Sequence, residues 1–534
     1  MSTSTSIEPD NVSLVRARLR DFFDVHAPWQ RRLWDCGTLL GLRELSDAVE
    51  WVERASLSAG ALKWLSNDLE RLQGPDRGIG NKVVRAQLQN ALRSPLKHGN
   101  AHHRLLNEII DWIEDGYLAR WKAAASTPGA SLSPERFARA VASHLLDAGF
   151  SQDFLHSWVA RLNVQTLAEI ADAASELLES HALRSFEVLV PFEAVSNDES
   201  NRDENDAWRP ARFVNSWLKE NRTSFDGRIA GGFLYVVTAR DQISAAEEAR
   251  EIVDRLKARA TYSRRTTNLR DFGLLVVKGE ASALPLQRPV RGGFVLSLVR
   301  EKRLYAVSER TPLDNALELA APMNHGSIAT AISGGWSAVE ALLLRGDDAS
   351  PEGRGVMAAD RMAALTACSW PRAELTTLAY AHKPEAQDRL LREITGVAGA
   401  SENREKARLV EKWIRSGHRL TLKSSSDTAS EERVRNLLNN PAGNLGQVKR
   451  HMTSAMRRLY RHRNIVMHGG ATHLNTLSMT LRTVTPLIGA GLDRIAHASI
   501  VSESSPLELA SRAELRLNLL RAGDDAPSLV DLLE

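Results

Sequence analysis

One short segment in the C-terminal part of this 534-residue chain gathers side chains suited to moving protons and holding phosphate. It reads Arg461-His462-Arg463-Asn464-Ile465-Val466-Met467-His468-Gly469-Gly470, and Lys449, Arg450, Arg457 and Arg458 precede it. An imidazole titrates near neutral pH, so His468 can take a proton from a ribose 2′-hydroxyl or give one to a leaving oxygen. A guanidinium can grip a phosphate with its planar fork and offset the charge that builds in the transition state. An amide such as Asn464 can orient the histidine or the ribose. The set suits RNA cleavage without a metal ion.

The element that must carry these groups is a helix. Leu445, Val448, Met452, Met456 and Leu459 recur at steps of 3, 4, 4 and 3, an amphipathic helical stripe. Arg457, Arg461, Asn464 and His468, at steps of 4, 3 and 4, share one sector beside it. Arg463 and His468 stand about 140° apart on an ideal helix, and Arg463 falls in line with the apolar stripe. Two readings stay open: the helix ends or kinks near Ile465, or Arg461 is the functional arginine. Plain structural roles are also available. His468 can face the carbonyl dipole of a helix end, the arginines can be ion-pair partners, and Asn464 can be a helix-terminus amide.

The Arg-x4-His spacing recurs at Arg93…His98 and Arg139…His144, with a looser form at Arg20…His26. Pro95 makes the first a poor helix, and the other two lack Asn after Arg and Gly after His. The copy at 463–468 has Asn464, the aliphatic pair Ile465-Val466, and Gly469. It also has an upstream helix, Trp336-Ser337-Ala338-Val339-Glu340-Ala341-Leu342-Leu343. With these features the segment resembles the Arg-x4–6-His signature of HEPN ribonucleases, and is similar to the ApeA-like abortive-infection, anti-phage HEPN proteins. The upstream helix looks like the W-x-A-x-E-x-L helix that opens such domains. The resemblance spans 325–500.

The resemblance implies a metal-independent endoribonuclease, a toxic RNA-cleaving effector of antiviral defence. Arg463, Asn464 and His468 would be catalytic, and Arg457, Arg461 and Glu340 would contact substrate. Glu340 can equally be a salt-bridge partner on the helix flank. Two HEPN domains would pair, so a homodimer with a composite Arg/His cleft is implied, and the products would be a 2′,3′-cyclic phosphate and a 5′-hydroxyl. RNA (tRNA or mRNA) and a phage-derived trigger are the expected partners, with no cofactor, no metal and no membrane. The alternative is a non-catalytic HEPN-like helical scaffold that binds nucleic acid or a protein. A further one is a nucleotide-binding or nucleotide-modifying helical domain that serves another enzyme.

Composition narrows the class. Hydrophobic residues make up 43% and charged residues 25%, an ordinary globular mixture. Lys+Arg 69 against Asp+Glu 66 is nearly balanced, so any nucleic-acid contact must come from a local patch. Two distant cysteines, Cys36 and Cys368, make no zinc-ligand spacing and fit a reducing cytosol. The N-terminal residues have no secretory pattern, and no apolar run is long enough to span a membrane; a cytoplasmic protein is expected. P-loop, HExxH, EF-hand and GxSxG motifs are absent.

Periodicity predicts a mainly α fold: an N-terminal helical region (12–184), a small α+β module (185–320), a HEPN-like helical bundle (325–500) and a C-terminal helical tail (501–534). Ser133-Pro134-Glu135 and Thr166…Glu169 signal helix starts. Strands are expected at Phe186–Pro191, Gly232–Val237, Phe272–Val277 and Gly293–Val299, with a helix over Ser244–Ala260. In the bundle, helices are expected at Ile328–Leu343, Ala358–Trp370 and Glu402–Arg415, the last stopped by Gly417. Lys423–Glu432, rich in serine, reads as a loop, and Asn197–Asp206 as an acidic insertion. Trp29, Trp34, Trp51, Trp64, Trp112, Trp121 and Trp158 read as packing anchors. Arg264, Arg265, Arg270, Arg288, Arg291, Arg300, Lys302 and Arg303 form a basic string, either a phosphate-facing surface or a solvated face.

Overall fold

The computed structural model describes residues 10–127, 132–195, 206–263, 269–280, 282–348, 353–399, 401–470, 475–522 and 528–534. The fold is mainly helical with one small antiparallel sheet. The chain forms two compact units. One holds residues up to Asp147, Val159–Ala173 and Arg291–Glu534; the other holds Ala148–Trp158 and Ala174–Val290.

The smaller unit is built on the strand run that starts before Phe186. Strand β1 (Arg184–Ala194) pairs antiparallel with β3 (Gly231–Ala239), from Arg184 opposite Ala239 to Phe192 opposite Gly231. Short β2 (Trp208–Pro210), β4 (Arg270–Asp271), β5 (Leu274–Val277) and β6 (Leu284–Pro285) complete the sheet. Val188, Val190 and Phe192 pack against the helix Gln242–Tyr262 on one face. Leu189 packs against Val214 and Trp217, on the helix Ala211–Glu220, on the other. Burial on both faces is why β1 reads as a continuous apolar run and not as alternation.

The larger unit contains the signature segment. Its core joins Ile332, Trp336 and Val339 on the helix Ile328–Leu343 to Met362 and Leu365 on Arg354–Ala381. Met452, Met456 and Leu459 on the signature helix, Pro441–Gly469, and Val484 and Leu487 on Asn475–Ser502 complete it. Trp34, from the N-terminal helices, enters the same cluster. Each such buried side chain contributes about 1.5–3 kcal/mol of apolar transfer.

The cap signals act as read. Pro134 opens a helix to Asp147, and Thr166 and Glu169 cap the helix Leu167–Ser180 reciprocally. The helix Glu402–Arg415 stops before Gly417, which has φ +85°. Trp34, Trp51 and Trp121 are buried anchors, but Trp112 is 44% exposed, with the Arg120 guanidinium 4.4 Å above its ring.

Two expectations are corrected. The serine-rich stretch is not a loop: Ser424 caps a helix from Ser425 to Asn439, and Ser430 donates to Glu374 at 2.6 Å in the core. Serine is a good capping residue, so its presence marked a helix start. Gly293–Val299 is not a strand. Gly293 lies against the helix Asn475–Ser502, where a Cβ on Gly489 would sit 2.6 Å from its Cα, and Ser297–Arg300 is a helical turn tied to Asp493. In the basic string, read as either a phosphate-facing surface or a solvated face, three members are engaged within the protein. Arg270 pairs with Glu193, Arg288 with Asp254, and Arg291 donates to the Met323 and Gly326 carbonyls. Arg264, Arg265 and most of the acidic insertion lie outside the described residues.

Candidate functional site

The signature helix begins where Asn440 accepts a hydrogen bond from the Gly443 N–H and Pro441 occupies the first turn. It does not end near Ile465: it runs unbroken to Gly469 and closes on Gly470 in the left-handed region, φ +67°. Gly469 is required by contact, since a Cβ there would lie 2.7 Å from the Trp51 ring. Gly469 thus lets the helix end seat against Trp51.

Because the helix is continuous, its sectors meet different neighbours. Arg458 donates from Nε to Glu44 Oε2 at 2.7 Å, and Arg461 donates from Nη2 to Oε1 at 2.6 Å. Glu44 lies on the helix Thr38–Glu53, and all three side chains are buried. Burial works against the Glu44 carboxylate, but the Arg458 and Arg461 guanidiniums override it and hold the carboxyl well below its usual range. His462 is buried beside them, with Nδ1 2.8 Å from the Thr480 hydroxyl. Burial pushes its imidazole down to about 3, and Arg461 and Arg458 push the same way against Glu44. Cys36 accepts from Arg458 at 2.7 Å, and burial raises its thiol to about 12, so this thiol is not a nucleophile at neutral pH.

Arg457 is also engaged. It holds Asp360 with two bonds, Nε to Oδ1 at 2.9 Å and Nη2 to Oδ2 at 2.6 Å, and its guanidinium lies 4.7 Å from the Trp64 ring. Thus Arg457 and Arg461, read from the sequence as substrate contacts, are both spent on carboxylates inside the protein.

The remaining residues cluster differently. Arg463 lies 3.5 Å from Glu340 Oε2 and donates to Asn464 Oδ1 at 3.1 Å. Glu340 sits one turn beyond Trp336, whose ring is 4.9 Å from Tyr460, so the Ile328–Leu343 helix positions this carboxylate against the signature helix. The side chain of Arg463 is 26% exposed against 4% for Arg461, so of the two it is the one open to a ligand. One turn on, Met467 is exposed beside Ser333, and His468 is exposed with no hydrogen-bond or ion-pair partner among the described residues.

The structure therefore brings Glu340, Arg463 and Asn464 together, leaves His468 open at the helix end, and separates Arg457 and Arg461 from them. Sequence reasoning missed Glu44, whose partners lie 414 and 417 residues further along the chain. The Arg139…His144 match is structural: Arg139 pairs with Asp35 and Glu135, and His144 stacks on Tyr117 at 4.7 Å. Among the described residues no helix is long and apolar enough to cross a membrane, and no three His, Cys, Asp or Glu side chains are grouped as metal ligands. No family model matches the chain, and neither does a curated protein or a solved structure.

Proposed function

We propose that the protein is a metal-independent endoribonuclease of HEPN type, acting as the RNA-cleaving effector of an anti-phage defence protein. The observation that supports this most is the accessible Arg463–Asn464–Glu340 cluster on the same helix end as the unpartnered His468. In this reading His468 moves a proton at the ribose 2′-hydroxyl or at the leaving 5′-oxygen. The 2′-oxygen attacks phosphorus, the P–O5′ bond breaks, and the ends are a 2′,3′-cyclic phosphate and a 5′-hydroxyl. Arg463 holds the phosphate, and Glu340 and Asn464 set its guanidinium. Arg457 and Arg461 then serve to anchor the helix. The composite cleft needs a second copy, so a homodimer belongs to the proposal, as do a cytoplasmic location and a phage-derived trigger.

The test is cleavage of total RNA and tRNA with EDTA present, wild type beside His468→Ala and Arg463→Ala. The expected result is cleavage by wild type, loss of about 10²–10⁴-fold in the histidine variant, and cyclic-phosphate ends. Undiminished cleavage by His468→Ala would overturn the reading. One observation favours a second reading, a non-catalytic scaffold for nucleic acid or a protein: two of the three arginines in the predicted cleft are occupied by Asp360 and Glu44. A scaffold is tolerated on overexpression, and its RNA affinity survives His468→Ala.

A further inference from the structure

Away from the Arg463 cluster, the larger unit contains a cavity of about 490 Å³ between its N-terminal helices and the signature helix. That volume lies within the range of small-molecule sites, about 300–1,000 Å³. Its wall is aromatic in part, with Trp34, Tyr117 and Trp121 lining it. Asp76, which is 7% exposed, also lines it. The Asp76 carboxylate accepts from the Tyr117 hydroxyl at 2.9 Å and from the Thr38 hydroxyl on Oδ2, and from the Gly78 N–H at 2.8 Å on Oδ1. Each carboxylate oxygen takes two bonds, so Oδ1 keeps one acceptor site for a ring or exocyclic N–H.

The rim has the opposite charge. Arg136 and Arg450 both line the cavity and are exposed, and among the described residues neither guanidinium has a partner. Beside them His451 is held through Nδ1 by Asp35 at 2.5 Å, and Arg139 holds the other Asp35 oxygen at 2.5 Å. Asp35, Arg139 and His451 are thus matched with one another, and the two rim guanidiniums have no carboxylate among the described residues. A dianionic phosphate monoester would satisfy them with charge-assisted bonds, and a planar base would fill the aromatic interior and reach Asp76.

We propose that this cavity is a binding site for a nucleoside 5′-monophosphate, with the phosphate at Arg136 and Arg450 and the base between the aromatic walls. The site is distinct from the Arg463–His468 cluster, and its test does not depend on RNA cleavage. Arg450 and His451 lie on the helix that carries Arg463 and His468, so an occupied cavity also loads that helix.

The experiment is calorimetric titration of the full-length protein with AMP, GMP, CMP and UMP, each beside its nucleoside, inorganic phosphate, and a 5′-phosphorylated trinucleotide. At least one monophosphate should bind about tenfold or more tighter than its nucleoside and than phosphate. Two further proteins carry Arg136→Glu with Arg450→Glu, and Gln447→Trp at the exposed rim. Both should lose that affinity about tenfold or more while keeping the far-UV circular dichroism and unfolding midpoint of the wild type. The proposal is overturned by no binding at millimolar monophosphate, by equal binding of nucleoside and monophosphate, by phosphate alone binding as well, or by affinity unchanged in both variants. Binding of the trinucleotide alone would assign the site to an RNA end instead.

Discussion

The two flanks of the signature helix carry the same kinds of side chain and put them to different uses. On one flank Arg458, Arg461 and His462 are buried around Glu44, each held by a partner from the N-terminal helices or the helix Asn475–Ser502. On the other, Arg463 and Asn464 sit near the surface with one loose ion pair to Glu340, and His468, about 140° round the unbroken helix from Arg463, is exposed at its end. A buried charge needs its partner to offset lost solvation, so the first flank is structural and intolerant. A surface charge costs little to hold and remains open to a ligand. Residue type alone does not separate the two; depth does.

This contrast yields predictions in which stability cost and activity cost run in opposite orders. The largest stability effect is expected for Glu44→Ala, which strands two buried guanidiniums and should lower unfolding free energy by about 3–5 kcal/mol, read by urea denaturation. A loss under about 1 kcal/mol would show this flank to be solvated like the other.

Acidification comes next. His462 is neutral when folded, with its imidazole down at about 3 against 6.5 in the unfolded chain. The unfolded state therefore binds more protons between these values. The stability this histidine contributes is complete above pH 6.5 and drains away as pH falls toward 3, by at most about 1.4 kcal/mol per pH unit. Urea midpoints measured from pH 7.5 to 5 should fall, and His462→Asn should flatten that slope. Glu44, whose carboxyl is held low, adds its own loss only below its ordinary value of 4.5.

Gly469→Ala places a Cβ against Trp51 and should cost about 1–3 kcal/mol, measured as a lower thermal midpoint. Smallest in stability are the open residues: Arg463→Ala should change it by about 1 kcal/mol or less, and His468→Ala by about 0.5 kcal/mol or less. In RNA cleavage these two should lose most, with Arg463→Ala down by about 10²–10³-fold. If His468→Ala unfolds the protein, the comparison fails.

Local structure was largely legible. The 3-and-4 stepping from Leu445 to Leu459 placed the signature helix, Gly417 marked the end of the helix before it, and the apolar run at Phe186 marked the central strand. These follow from periodicity and from residues that start or stop helices, both properties of neighbouring positions. The errors came where a neighbour in space decided. Ser430 looked like loop chemistry until Glu374, 56 residues away, supplied its partner. Gly293 looked like a strand start, but contact with Gly489 set its course.

The same division holds at the candidate site. The sequence by itself determined which groups could do chemistry and that a helix would carry them, because side-chain type and helical spacing are local. It placed Arg457, Arg461, Asn464 and His468 on one sector and left the choice between Arg461 and Arg463 open. Tertiary structure alone decided that Asp360 and Glu44 occupy the first two arginines, that Glu340 meets Arg463, and that His468 stands free at the end of an unbroken helix. The physical reason is that a guanidinium's role depends on its solvent exposure and on the nearest carboxylate, and for Arg461 that carboxylate lies 417 residues earlier in the chain.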